Sequence, residues 1–459
     1  MRIDYSNGYY EGEVIDGNIR HGYGIYYWNR GDRYEGEWYK GRAHGKGKHI
    51  YPDGRLIEGD YFEGKLHGLG KMVWANGDIY EGEFCEGKRK GKGVYRYAMG
   101  SVYEGEFLDN QQHGYGKIKY PDGGSYVGEW KNDARHGKGV YQYPDGGVYD
   151  GEWRDGKREG WGTVNLPDGG KYEGEWLDDS WHGNGKLIYC DGGYYEGEWQ
   201  NGYENGKGKK EYIDGSIYEG DFKNGKRDGI GIFYTQSGFR YEGQWSDDKI
   251  NGNGVINYSD GPKYEGAFVN DNRHGFGIMI SDDGSRYEGE WRDNVREGYG
   301  IMNFANGAKY EGEWINDREN GKGTAHLPDN AIFEGIFENG NFKFGTYYLS
   351  NGNRYEGEFD EHSDFHGKGT LYWFGGDRYE GEFEHGFISG NGKLYFANGN
   401  LYVGEFAASQ MHGNGILYFA DGARYEGEWN NGEPFGKGKL YDPDGNLTDG
   451  EIDIFPNEE

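Results

Sequence analysis

Tyr34-Glu35-Gly36-Glu37-Trp38, continued through His44-Gly45-Lys46-Gly47 to Tyr51-Pro52-Asp53-Gly54, is one copy of a unit that recurs along the chain. The place of Tyr34 is aromatic in nearly every copy, from Tyr10 through Tyr310, Phe333 and Tyr355 to Tyr425; Ile57 and the terminal Thr448 are the exceptions. Of the 19 intervals between these 20 anchors, 16 are 23 residues long, and the residue two past the anchor is Gly in all 20 copies. So regular an array, from about Tyr5 to about Gly450, leaves no room inside it for a separate domain. It reads as one supersecondary unit stacked on itself.

The unit reads as a β-hairpin. In the first half, Tyr34, Gly36 and Trp38 fall on one face and Glu35 and Glu37 on the other, as strand alternation requires. In the second half, Gly45, Gly47 and Tyr51 alternate with Lys46 and Lys48. Two glycines in three positions would cost a helix about 2 kcal/mol relative to alanine. Pro-Asp-Gly-Gly at 121–124, 144–147 and 167–170, and Asn-Gly or Asp-Gly at 76–77, 306–307, 398–399 and 421–422, supply tight turns. Glycine weakens a strand unless an aromatic ring lies across it. Tyr34 and Trp38 are expected to cover glycines such as Gly45 and Gly47. The fifth position of the unit is Trp or Phe in 17 copies, which points to the same packing down the sheet.

Composition agrees. Hydrophobic residues make up only 34% of the 459, yet aromatics alone reach 18%. Rings buried between neighbouring units replace a central core. Net charge is 50 − 80 = −30, which excludes nucleic acid as a partner and disfavours anionic membrane. The two cysteines, Cys85 and Cys190, build no disulfide framework, so a reducing, cytoplasmic setting is expected. Met1-Arg2-Ile3-Asp4-Tyr5 lacks the apolar run of a signal peptide, and no stretch approaches a spanning helix.

The Tyr-Glu-Gly-Glu-Trp, Gly-Lys-Gly and Pro-Asp-Gly elements at this spacing resemble MORN repeats over nearly the whole chain. The resemblance implies an all-β fold: an elongated, twisted, single antiparallel β-sheet of about 20 stacked hairpins. It also implies a non-enzymatic scaffold for protein–protein interaction. In length and purity the chain is most similar to radial-spoke head proteins of the ciliary axoneme, then to MORN proteins of protist cytoskeletal rings. Partners would be other proteins of a cytoskeletal or axonemal complex. Open sheet edges leave a homodimer as a further option. The alternative is a peripheral membrane–cytoskeleton tether binding phospholipid headgroups, as in the MORN region of junctophilins.

No catalytic residues, cofactor or metal ligands are expected. The Glu35/Glu37 pair recurs almost everywhere and reads as a solvated charge ladder. His21, His44, His67, His113, His136, His182, His274, His366 and His412 form a ladder too, each before the first Gly of Gly-x-Gly. Successive rungs lie roughly 10 Å apart, too far to share an ion. Asn205, Asn251 and Asn320 also take the place of the histidine. A role bonding to local backbone is expected instead. The glycines match no phosphate loop, because no helix follows them.

Function is expected where the repeats break their own rule. Phe333 replaces Tyr, Ile336 replaces an outward Glu, Lys343 replaces a Gly, and one residue is missing. The next copy gains a residue at Asp360–Phe365. Opposite length changes suggest a kink, dividing the chain into a regular array over 1–340, irregular repeats over 341–366, the C-terminal repeats over 367–450 and an acidic tail over 451–459. Ile336, Phe342 and Phe344 are candidate partner contacts as an apolar patch. Gln244 and Ala267, where adjacent copies lose the outer Glu, are further candidates. Lys88, Arg89, Lys90 and Lys92 are the candidate lipid contact, set against a reading as ordinary solvated loops.

Overall fold

The computed structural model describes residues 1–454, the side chains as far as Thr448. All of its regular structure is β-strand, in forty segments. The chain forms two compact units, Met1–Gly229 and Ile230–Glu459. In each, every strand pairs antiparallel with its neighbours in sequence, giving an open sheet of repeated hairpins. The Leu447–Ile454 strand takes in the first residues assigned above to the acidic tail; residues 455–459 lie outside the described residues.

One hairpin of the first unit shows how residue types dictate the pairing. Strand Val148–Arg154 faces strand Lys157–Asn165 with Tyr149 opposite Val164 and Gly151 opposite Gly162. The register then slips, so that Trp153 meets Arg158. The slip is a β-bulge that sets Glu159, Gly160 and Trp161 against the single Glu152, two residues more on one strand than the other, and Gly160 adopts φ +67. The anchor ring lies flat over the bare backbone beside the bulge. A Cβ on Gly162 would stand within 2.7 Å of Tyr149 Cε2 and Cζ, and one on Gly151 would meet the Gly162 Cα at 2.5 Å. Tyr149 is fully buried, and its hydroxyl donates to the Glu152 carbonyl at 2.9 Å. A Phe would cover the same glycines but leave that carbonyl without this donor.

The expected ring-over-glycine packing therefore holds for the tyrosines but differs for the tryptophans. Tyr34 covers Gly36 and Gly47. Trp38 packs edge-on against Tyr34 and Tyr10 and donates its indole N–H to the Gly24 carbonyl of the preceding copy, 3.1 Å away. Gly45 is not under a ring: it has φ +65, and a Cβ there would meet Glu37. Simple alternation counts faces correctly only until the bulge inserts its extra residues.

Adjacent hairpins are latched at their turns. Turn amides donate back to the previous hairpin, as Gly156 N–H does to the Arg135 carbonyl and Asp317 N–H to that of Arg296. Turn side chains answer: the Asp317 carboxylate accepts the Arg296 amide at 3.0 Å. The Arg296 guanidinium lies 4.2 Å over the Trp314 ring and donates to the Asp317 carbonyl, closing the joint from the core side.

Candidate functional site: the glutamate face and the irregular repeat

The face opposite the rings carries the glutamates, the middle residue of each Gly-x-Gly and bare glycine between them. The two glutamates of a copy do different work. The first reaches across strands to lysines, as in Lys71–Glu81 at 2.8 Å and Lys186–Glu196 at 2.9 Å. The second turns back onto the bulge. Glu37 accepts the Lys46 amide at 3.0 Å, Glu129 that of Lys138 at 3.0 Å, and Glu198 that of Lys207 at 3.0 Å. This corrects the reading of both carboxylates as one solvated ladder; the second is a bulge cap. Its signal in the sequence is its constant distance from the first Gly of Gly-x-Gly.

Gln244 keeps that job. Its side-chain oxygen accepts the Asn253 amide at 2.7 Å. Ala267 cannot, and a Cβ on Gly275 would find only the Ala267 methyl, at 3.6 Å. Ala267 therefore opens the face locally, beside the exposed Phe276.

The irregular copy separates the three apolar candidates. Ile336 and Phe344 sit opposite each other across strands Ile332–Glu338 and Asn341–Tyr348, on the glutamate face. Phe344 is 57% exposed. Phe342 lies on the ring face, stacked on Phe333 with centroids 4.0 Å apart. It fills the place Trp181 takes against Tyr172. Ile336 and Phe344 line an open trough of about 570 Å³ with Tyr299, Lys322 and Thr324. Phe344 also heads a second trough of about 840 Å³ running past Lys368, Glu380 and Lys393 to Val403. A comparable trough in the first unit is floored by Gly82, Gly93, Gly105 and Gly116 and bounded by Tyr115 and Val127.

The two length changes are absorbed where they occur. With Lys343 in place of a Gly, the bulge holds one residue where its neighbour at Gly321-Lys322 holds two. The extra residue of the next copy enlarges the turn between Phe359 and Phe365. Pairing resumes on both sides, with Gly345 opposite Gly357 and Gly357 opposite Gly369.

Of the basic candidates, Lys88 pairs with Asp109 at 3.1 Å. The Arg89 guanidinium is drawn to the ring face, 5.1 Å over Tyr95, and donates to the Asn110 carbonyl. Lys90 and Lys92 are exposed. Arg89 is thus set apart from the exposed Lys88, Lys90 and Lys92.

The buried carboxylates are explained by their partners. Asp32 accepts from Arg30 and from His49, which is held between Trp28 and Tyr51. The hydrogen bond from Arg30 leads the effects that take its carboxyl down to about 2. Glu204 accepts from Tyr189 and Lys210. The ladder histidines depart from expectation: Nδ1 of His21, His113, His136, His182, His274 and His366 is buried with no hydrogen-bond partner. Where Asn replaces the histidine it reaches the next hairpin, as Asn251 does in accepting the Asn270 amide at 3.1 Å. The position faces the neighbouring turn.

A family profile described as MORN repeat matches eighteen segments, beginning 10–33, 34–54 and 58–79 and ending 379–401, 402–424 and 425–447. It omits the copy anchored at Phe333. No curated protein matches the chain. Among solved structures, the TCP domain of Drosophila melanogaster SAS-4 in complex with a proline-rich motif of Ana2 is similar at 17% identity, over 34% of this chain and 85% of that one, with a TM-score of 0.23. The wild-type TCP10 domain of Danio rerio CPAP is similar at 15% identity over 54% and 94%, TM-score 0.14. A Staphylococcus aureus virginiamycin B lyase is similar at 14% over 74% and 94%, TM-score 0.11. At such scores these likenesses carry no functional argument.

Proposed function

The chain belongs to the MORN-repeat family, whose repeats are non-catalytic scaffold modules for protein or lipid interaction, and from that premise we propose that it holds protein partners together in a cytoskeletal assembly, of the radial-spoke-head kind. The observation that carries this reading is the glutamate face around Phe344. There an exposed ring sits where two open troughs meet, with Ile336 lining one of them, in the one internal copy that departs from the family profile. Large exposed apolar groups rimmed by charge are what a partner segment buries. The charges around them recur from copy to copy, which suits a surface that grips by shape and repetition.

The test is affinity purification of the wild-type chain and of an Ile336→Asp/Phe344→Asp variant from ciliated cells. Loss of a defined set of co-purifying cytoskeletal proteins, with unchanged circular dichroism, supports the proposal. An unchanged set discards it. Flotation with anionic liposomes runs in parallel: strong, salt-sensitive binding would favour the tether instead. Among the described residues no helix is long and apolar enough to cross a membrane.

A further inference from the structure

The enlarged turn brings together three side chains that no other pair of copies assembles among the described residues. Asp360 opens the turn, His366 is the ladder histidine of that copy, and His385 occupies the turn of the next hairpin. One nitrogen or oxygen from each lies within 4.8 Å of the others. We infer that Asp360, His366 and His385 form a binding site for one divalent transition-metal ion of the zinc type.

Repeat spacing alone argued against metal, because equivalent histidines stand too far apart. This cluster escapes that argument. It uses one ladder histidine and two groups the ladder does not contain. The regular copies show what such a histidine faces: His136 Nδ1 lies 3.7 Å from Asp155, and His274 Nδ1 lies 3.9 Å from Asp293. Asp155 and Asp293 hold the turn position that His385 holds here. So an imidazole replaces a carboxylate beside His366, and its own Nδ1 lies 3.1 Å from Asp360 Oδ2.

Asp360 is prepared for the role. Its other oxygen accepts the amides of His362 at 2.9 Å and Asp364 at 3.0 Å, which orients the carboxylate and leaves Oδ2 toward the histidines. The buried Nδ1 of His366 lacks a partner. Two imidazoles and one carboxylate suit zinc, cobalt or nickel, and are poor in the oxygens calcium or magnesium require. Three protein ligands leave a fourth position for water. A bound ion would clip the enlarged turn to the following hairpin, because Asp360 and His385 lie on successive hairpins.

Cobalt(II) as a visible surrogate, and zinc by calorimetry, would be titrated into the full chain after chelation at neutral pH. The variants are His366→Asn and His385→Asn. Asn320 and Asn316 fill these same two positions in a regular copy, so both variants restore residues this fold already accommodates there. One equivalent should bind, with tetrahedral or five-coordinate cobalt absorption. Each variant should weaken it by at least the roughly 10- to 100-fold that losing a mere supporting residue costs a metal site. His136→Asn should change nothing. Absence of saturable one-equivalent binding, or binding that both variants leave intact, overturns the inference.

Discussion

Two neighbouring parts of the second unit solve the same packing problem with different parts. In the copy anchored at Tyr287, the ring covers Gly300, the hydroxyl donates to Glu290 O, and the Trp291 indole donates to a glycine carbonyl of the preceding copy. Arg296 closes the joint to the next turn. In the copy anchored at Phe333, the hydroxyl is gone, the capping glutamate is Ile336 and the bulge is shorter by one residue. Phe337 and Phe359 replace the tryptophans, and Phe342 stacks where Arg296 would lie. These changes arrive together because they are parts of one device. A tyrosine hydroxyl and a glutamate cap are needed only where a two-residue bulge leaves backbone groups to satisfy.

The largest effects should come from the anchors. Tyr287→Ala and Phe333→Ala should each cost about 3–5 kcal/mol, read as loss of hydrogen-exchange protection in the flanking strands. The contrast sharpens with conservative changes. Tyr287→Phe should cost about 1 kcal/mol for the lost hydroxyl bond, and Phe333→Tyr should gain nothing. A clear gain from Phe333→Tyr would break the distinction.

Next is the residue that joins copies. Phe342→Ala removes a stacked ring and should cost about 3 kcal/mol. Arg296→Ala loses a partly buried cation–π contact and the bond to the Asp317 carbonyl and should cost about 1 kcal/mol. Thermal or denaturant shifts of single variants decide it; equal costs would mean the two joints are equivalent.

Alkaline pH separates anchors by chemistry. Burial, eased by Arg273, pushes Tyr264 up to about 12, and burial does the same for Tyr402. An unfolded tyrosine loses its proton near pH 10, while the folded one keeps it. Stability is therefore full below about pH 10 and falls by about 1.4 kcal/mol per pH unit per ring up to about pH 12. Tyr264→Phe should remove one ring's share of that slope, measured from denaturant midpoints. The Phe333 ring, which carries no hydroxyl, contributes none.

The smallest effect concerns the cap. Gln244→Ala should cost about 1 kcal/mol and Ala267→Gln should recover a similar amount, both read by amide exchange at Asn253 and Phe276. If neither moves, the second-glutamate position is not a cap.

The period, the hairpins, their antiparallel order and the ring-on-glycine idea were all legible, because each rests on a local rule repeated many times. The bulge was not, although its traces were present: tyrosine preferred over phenylalanine, and a glutamate at fixed distance from a glycine. Counting alternation through Gly-x-Gly hides a residue that sits at positive φ. The same miscount concealed Phe342. The bulge at Lys343 lies between Phe342 and Phe344 and puts them on opposite faces, so Phe342, at the place Trp181 holds in a regular copy, faces the rings while Ile336 and Phe344 lie on the glutamate face. The Asp360, His366 and His385 cluster was illegible for a different reason: one copy supplies Asp360 and His366 and the turn of the next supplies His385, and spacing within a single copy does not show that the two copies meet there.

The latches at the turns join residues 21 apart, and strand partners are nearer still. Nothing in such a joint waits for distant chain. Each hairpin can dock as soon as it leaves the ribosome, onto a surface already formed by the one before. Synthesis and assembly of this protein should therefore proceed in step, one 23-residue increment at a time, with little aggregation-prone sheet edge exposed at any moment beyond the growing end.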